Sequence, residues 1–202
     1  MTAREGPRVR VRDVVVLADD WSVLRKTSFD YLRRDGSWSR ETRETYDRGN
    51  GACVLLYDPD RATVLLTRQF RYPAYVNGHP DGELIEVPAG LLDLEDPETA
   101  MRREAAEETG VEVHQPQYLW DIFMSPGSVT ERVHFYAAAY SPSMLGTARA
   151  TDGEDIEVLE VPFQDALAMV ADGRIRDAKT IMLLQWAAIH QPFSGKPVAT
   201  TA

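Results

Sequence analysis

A chain of 202 residues, 44% hydrophobic and 27% charged, is expected to form one soluble domain with an added segment and a sizeable core. Its formal net charge of −10 argues against nucleic acid as a partner, since such binding draws on clustered Lys and Arg. No apolar run reaches the roughly 18 residues of a membrane span, no secretory signal pattern precedes Arg12, and Cys53 is the only cysteine, so no membrane, a cytoplasmic location and no intrachain disulfide are expected.

In chain order, residues Val9 to Leu17 and Trp21 to Tyr31 read as strands, and Arg34-Asp35-Gly36-Ser37 as a hairpin turn leading to a partner strand from Trp38 to Tyr46. Such a ribbon is marginal alone and is expected to pack on a second copy of the chain. After the loop Tyr46 to Gly51, a second hairpin is expected from Ala52 to Tyr57 and Thr63 to Phe70, turning at Asp58-Pro59-Asp60. Arg68, Phe70, Arg71 and Tyr72 interleave rings and guanidinium groups, which suits either base stacking with phosphate pairing or a solvated strand end. Tyr75 to Gly82 reads as a polar loop, Glu83 to Val87 as a short strand and Pro88-Ala89-Gly90 as a turn.

The stretch Gly90 to Val111, GLLDLEDPETAMRREAAEETGV, carries most of the functional information. Asp96 before Pro97 is a helix start and Gly110 its stop, and Ala100, Met101 and Ala105 form an apolar stripe. Arg103, Glu104, Glu107 and Glu108 crowd another face. Like charges three and four residues apart cost roughly 0.2–0.5 kcal/mol per pair, and carboxylates in a last turn also oppose the helix dipole. Two readings account for that: a solvated acidic face, or a site for a hard divalent cation such as Mg²⁺, which takes oxygen ligands and bridges them to phosphate. Arg103 is placed to hold one carboxylate.

Downstream, Tyr118 to Met124 and Val133 to Tyr140 read as strands flanking Ser125 to Glu131, which with the acidic helix suggests an α/β sandwich. Ser141 to Glu154 is the longest irregular stretch, and an acidic loop facing a metal site is a candidate source of a general base. Ile156 to Val161 reads as a strand, Pro162 to Ala171 and Asp177 to His190 as helices, and residues from Gln191 as a flexible tail. His79, His114, His134 and His190 show no metal-ligand spacing.

The acidic stretch resembles the Nudix box, in which Gly, five residues, Glu and seven residues lead to Arg-Glu-apolar-x-Glu-Glu-x-Gly-apolar. Arg103, Glu104, Ala105, Glu107, Glu108, Gly110 and Val111 match, and Glu95 has the required spacing from Arg103. Only four residues separate Gly90 from Glu95, so either Glu95 or Asp96 is the early acid. Together with YDRGNGA (46–52), RQFR (68–71), YVNG (75–78), AGLLD (89–93), MSPGSVTE (124–131), EDIEVLE (154–160) and IRDAKT (175–180), the chain over roughly residues 9–190 resembles the GDP-mannose branch of the Nudix hydrolases, near the ADP-ribose pyrophosphatases.

The resemblance implies an α/β/α Nudix sandwich with a mixed sheet at 48–190, preceded by an antiparallel β ribbon at 1–47 exchanged within a homodimer, and a tail at 191–202. It implies Mg²⁺-dependent hydrolysis, with Mn²⁺ able to substitute, of a nucleoside diphosphate sugar such as GDP-mannose to a nucleoside monophosphate and a sugar 1-phosphate. The metal ligands it implies are the Ala89 carbonyl, Glu104, Glu108 and Glu154, with Glu154 also activating water and Arg103 among the catalytic set. Arg71, Gly90, Leu91, Glu131 and Lys179 would line the phosphates and sugar, and Trp21, Arg43 and Glu44 the base. Thr42 and Trp21 stand where that branch has Lys and Tyr, and Pro126 follows Gly110 at a spacing also seen in ADP-ribose hydrolases, so ADP-ribose is the alternative substrate. A non-catalytic module that binds a nucleotide sugar is the rival from another class, usually marked by lost box carboxylates.

Overall fold

The computed structural model describes residues 6–146 and 155–193. The chain divides into two compact units, one running to Asn50 and taking in Ile122–Val133, the other built from Gly51–Asp121 and the chain from His134 onward.

The first unit is a three-stranded antiparallel sheet in the order β1 (Val9–Asp19), β2 (Val23–Leu32), β3 (Trp38–Asp47). Asp35 accepts the Ser37 N–H at 2.9 Å and its hydroxyl at 2.7 Å, and Gly36 supplies the positive φ of 85° that the expected hairpin turn needs. The turn between β1 and β2 corrects the expectation for Trp21: it lies ahead of β2 rather than within it, with 88% of its surface exposed. Asp47 closes the sheet, accepting from Arg25 at 2.9 Å and from the Thr130 hydroxyl at 3.1 Å. Val14, Val15, Val16 and Leu17 are consecutive and all exposed, so neither face of this part of β1 is covered by the described residues.

The second unit carries a seven-stranded sheet whose main path is β10 (Ile156–Pro162), β5 (Thr63–Phe70), β4 (Gly51–Asp58), β9 (Arg132–Ala139), β8 (Gln117–Phe123). β5 is antiparallel to β4 and to β10. The Arg132 N–H meets Asn50 at one end of β9 and the Tyr140 N–H meets the Tyr57 carbonyl at the other, so β9 runs parallel to β4 and the sheet is mixed. β4 is buried on both faces, which is why it reads as an unbroken apolar run rather than an alternation. Its even positions Ala52, Val54 and Leu56 pack with Met101 and Ala105 of α2 (Pro97–Thr109), while α3 (Phe163–Ala171) and α4 (Ala178–His190) cover the other face, giving an α/β/α sandwich.

The hairpin β4–β5 is paired only near its turn, from Leu56↔Leu65 to Asp58↔Thr63. Beyond that the strands part. The outer half of β5 pairs instead with β6 (Glu83–Glu86), and the start of β4 with β7 (Ala89–Leu91). Two sequence expectations change here: Pro88-Ala89-Gly90 is not a free turn, because Ala89 and Gly90 are laddered to Cys53 and Ala52, and the loop after Arg71 opens with a short helix α1 (Tyr72–Val76) seeded by Pro73. The tail expectation also changes at its start, since the Phe193 ring packs 4.6 Å from that of Phe163. Within the long irregular stretch Pro142–Met144 forms a single 3₁₀ turn. No helix among the described residues is long and apolar enough to cross a membrane.

Candidate active site

Splitting the β4–β5 hairpin brings the chain from Glu86 to Leu91 beneath the acidic face of α2. Asp96 caps that helix through the Glu98 and Thr99 N–H groups, Pro97 occupies its first turn, and Gly110 ends it with φ of 75°. Ala100, Met101 and Ala105 are fully buried against β4, which fixes the helix rotation and leaves Glu104 and Glu108 facing β7.

Arg103 has its donors engaged on every side: Nε to Glu95 at 3.0 Å, Nη1 to Glu104 at 2.8 Å and Glu107 at 3.2 Å, and Nη2 to the Leu91 carbonyl at 3.2 Å. This separates Glu95 from Asp96 by role. Asp96 is the helix cap, whereas Glu95 anchors the guanidinium that in turn orients Glu104.

Glu104 lies directly over Gly90. A methyl group at Gly90 would stand 1.9 Å from the Glu104 carboxyl carbon and from Oε1. The φ of Gly90 is not positive, so the residue serves there by leaving space for the carboxylate rather than by bending the chain. Glu108, 7% exposed, has one oxygen, Oε2, buried with no hydrogen-bond partner among the described residues. Burial and the nearby Glu104 charge push its pKa up to about 8, against the opposing pull of Arg71 and a hydrogen bond from the Ala89 backbone.

A second buried group adjoins these carboxylates. Glu86, 4% exposed, accepts Arg71 Nε at 2.8 Å and Nη2 at 3.2 Å, and Lys179 Nζ at 3.2 Å. Burial opposes its charge, but Lys179 and Arg71 outweigh it and hold the carboxyl below its usual range. Lys179 also meets Asp177 at 2.7 Å, the residue whose side chain caps α4 through the Thr180 N–H. Sequence reasoning missed Glu86 and the second role of Asp177. No local signal could have found Glu86, because ELIEV holds two glutamates, Glu83 and Glu86, and only burial tells which of them needs cationic partners.

The expected residues thus fall into three groups. The structure brings together Ala89, Gly90, Leu91, Arg103, Glu104 and Glu108, with Arg71 and Lys179 joined to them through Glu86. Trp21, Arg43, Glu44 and Glu131 belong to the other unit: Arg43 donates to the Thr42 carbonyl at 2.8 Å, Glu44 stands opposite Lys26, and Glu131 lies 3.5 Å from Arg48. Glu154 lies outside the described residues.

Chemically, a partnerless buried carboxylate oxygen beside a second carboxylate is a costly arrangement that a hard cation relieves. Among the described residues no three His, Cys, Asp or Glu side chains converge as a metal set, so Glu104 and Glu108 offer two side-chain donors. The donor chemistry, all oxygen, suits Mg²⁺ rather than a soft metal.

Comparison with known proteins adds to this geometry. Residues 47–184 match the NUDIX domain, and residues 8–46 match the family described as the GDP-mannose pyrophosphatase NudK N-terminal domain. The chain is 53% identical over 180 residues to a GDP-mannose pyrophosphatase of Pectobacterium atrosepticum, spanning 89% of this chain and 93% of that one. It is equally similar over 176 residues to proteins of the same name from Yersinia enterocolitica and Yersinia pestis, spanning 87% of this chain and 92% and 89% of theirs.

Proposed function

The chain belongs to the NUDIX family, and from that premise we propose that it is a pyrophosphatase acting on GDP-mannose and releasing GMP and mannose 1-phosphate. The observation that carries this reading is the partnerless Oε2 of Glu108 beside Glu104, in a helix whose Arg103 holds Glu104 and Glu107. A sensor module would have no use for so costly a pair.

Glu104, Glu108 and the Ala89 carbonyl, with Glu154 from beyond the described residues, would hold Mg²⁺, with Mn²⁺ able to substitute. When bound, the cation neutralises charge developing on the diphosphate and makes water a better nucleophile near neutral pH. The chain's own groups do the rest. Arg103 orients Glu104, Arg71 and Lys179 present cationic donors to the phosphates, and Glu154 takes the proton from the attacking water. Trp21, Arg43 and Glu44 are assigned to the base end of the substrate, and Glu131 to the sugar side. With Mg²⁺ present, kcat/KM for GDP-mannose is expected to exceed that for ADP-ribose by at least about tenfold, a difference of ~1.4 kcal/mol in transition-state binding. The reverse order in a side-by-side assay with product identification would transfer the assignment to ADP-ribose.

The ribbon at 1–47 is proposed as the dimerising element of a homodimer, with 48–190 as the hydrolase domain. The uncovered run Val14 to Leu17 supports this, because a three-stranded sheet with apolar residues on both sides needs a partner. Val14→Asp combined with Val16→Asp, two positions on one face, is expected to convert a dimer to monomer in light scattering. A monomeric wild-type protein, or an unaltered dimer in the variant, would remove the ribbon from the interface.

A further inference from the structure

We propose that Glu86 is a positioning residue that holds Arg71 and Lys179 together as a preformed two-cation clamp for the diphosphate. The inference rests on the reading of those two cations as phosphate contacts.

Glu86 is placed by its backbone rather than by chance. Its position in β6 is laddered to Thr67, whose hydroxyl also donates to the Glu86 carbonyl at 3.3 Å. One residue further, the Val87 N–H donates to the Thr180 hydroxyl at 2.8 Å, and that hydroxyl donates to Asp177 at 2.7 Å. The strand carrying Glu86 is therefore tied to the first turn of α4, the turn that carries Lys179. On the other side, the Arg71 N–H is held by the Gly82 carbonyl at 2.8 Å. Three separate backbone segments thus deliver Arg71, Glu86 and Lys179 to one point, and the two oxygens of one carboxylate bridge two cations.

Without that bridge Lys179 would keep only Asp177 and Arg71 would lose both of its hydrogen bonds to Glu86, so a diphosphate would have to bring the two like charges together on binding. With it, their reach is set in advance, although Glu86 itself touches no substrate.

The test is steady-state kinetics on the full chain with GDP-mannose and Mg²⁺, with melting temperature recorded for each variant. Glu86→Gln is expected to raise KM about tenfold or more and to lower kcat less, as loss of one or two charge-assisted hydrogen bonds would. Combined with Lys179→Met, the losses in kcat/KM are expected to fall short of their product by at least about fivefold, because both changes disable the same clamp. A purely structural Glu86 would lower the melting temperature while leaving KM within twofold, or its loss would multiply fully with that of Lys179→Met; either result overturns the proposal. Should Glu86→Gln not fold, Glu86→Asp keeps the charge and shortens the reach. It is expected to raise KM at least about threefold, and an unchanged KM overturns the proposal equally. A wild-type chain inert toward nucleoside diphosphate sugars would instead remove the functional reading itself, before any variant is compared.

Discussion

Glu108→Gln is expected to abolish most turnover and at the same time to stabilise the metal-free protein. The first effect follows from losing one ligand charge, where several kcal/mol of transition-state stabilisation corresponds to roughly 10³ in kcat. The second follows from the Glu108 pKa of about 8 against an ordinary 4.5. Between those values the folded protein keeps a proton that the unfolded chain has released, so stability falls as pH rises from about 4.5 and levels off above about 8. At 1.36 kcal/mol per pKa unit the full shift corresponds to about 5 kcal/mol, and allowing for relaxation a gain of ~3 kcal/mol is expected for a neutral amide of the same shape. That gain corresponds to ~6–12 °C in Tm for a chain of this size. Thermal melts in EDTA should therefore show a variant advantage that is absent near pH 4.5, grows toward pH 8 and shrinks when Mg²⁺ restores the wild type. Equal melts at all pH values, or near wild-type turnover, would dismiss Glu108 as the residue the cation relieves.

Gly90→Ala is expected to separate activity from stability in another way. The added methyl would occupy the space of the Glu104 carboxyl group, 1.9 Å from its carbon, but that carboxyl is the far end of a flexible side chain. Since the φ of Gly90 is not positive, the backbone accepts alanine without strain. Glu104 is thus expected to swing aside, breaking its 2.8 Å contact with Arg103. A Tm within about 2 °C of wild type is expected together with a loss of ~10² or more in kcat, the scale of one misplaced charge-stabilising group. Calorimetric titration with Mn²⁺ should show weakened binding in parallel. Wild-type kcat in a folded Gly90→Ala protein would mean that Glu104 does not need its place over β7.

The legible parts of the sequence were those governed by local rules. The caps Asp96 and Asp177, the stops at Gly110 and the hairpin at Asp35-Gly36 each depend on a residue satisfying its own neighbours' backbone, so they can be read from a few adjacent letters. The stripe Ala100, Met101, Ala105 announced which face of α2 is buried, but not that Glu108, seven residues on from Met101, is buried along it. The spacing of Glu104, Glu107 and Glu108 likewise set their relative positions, because all three lie on one helix.

What sequence by itself determined, then, is the helix that bears the acids, with its caps and its apolar stripe, since helical periodicity and capping act over a few residues. Only the tertiary structure decided that the β4–β5 hairpin parts to admit Glu83–Glu86 and Ala89–Leu91, that Gly90 is the floor under Glu104, and that Glu86 joins Arg71 to Lys179. The physical reason is distance along the chain. Lys179 lies 93 residues from the carboxylate that holds it, and nothing in the local pattern of ELIEV distinguishes a buried, doubly paired glutamate from one facing water.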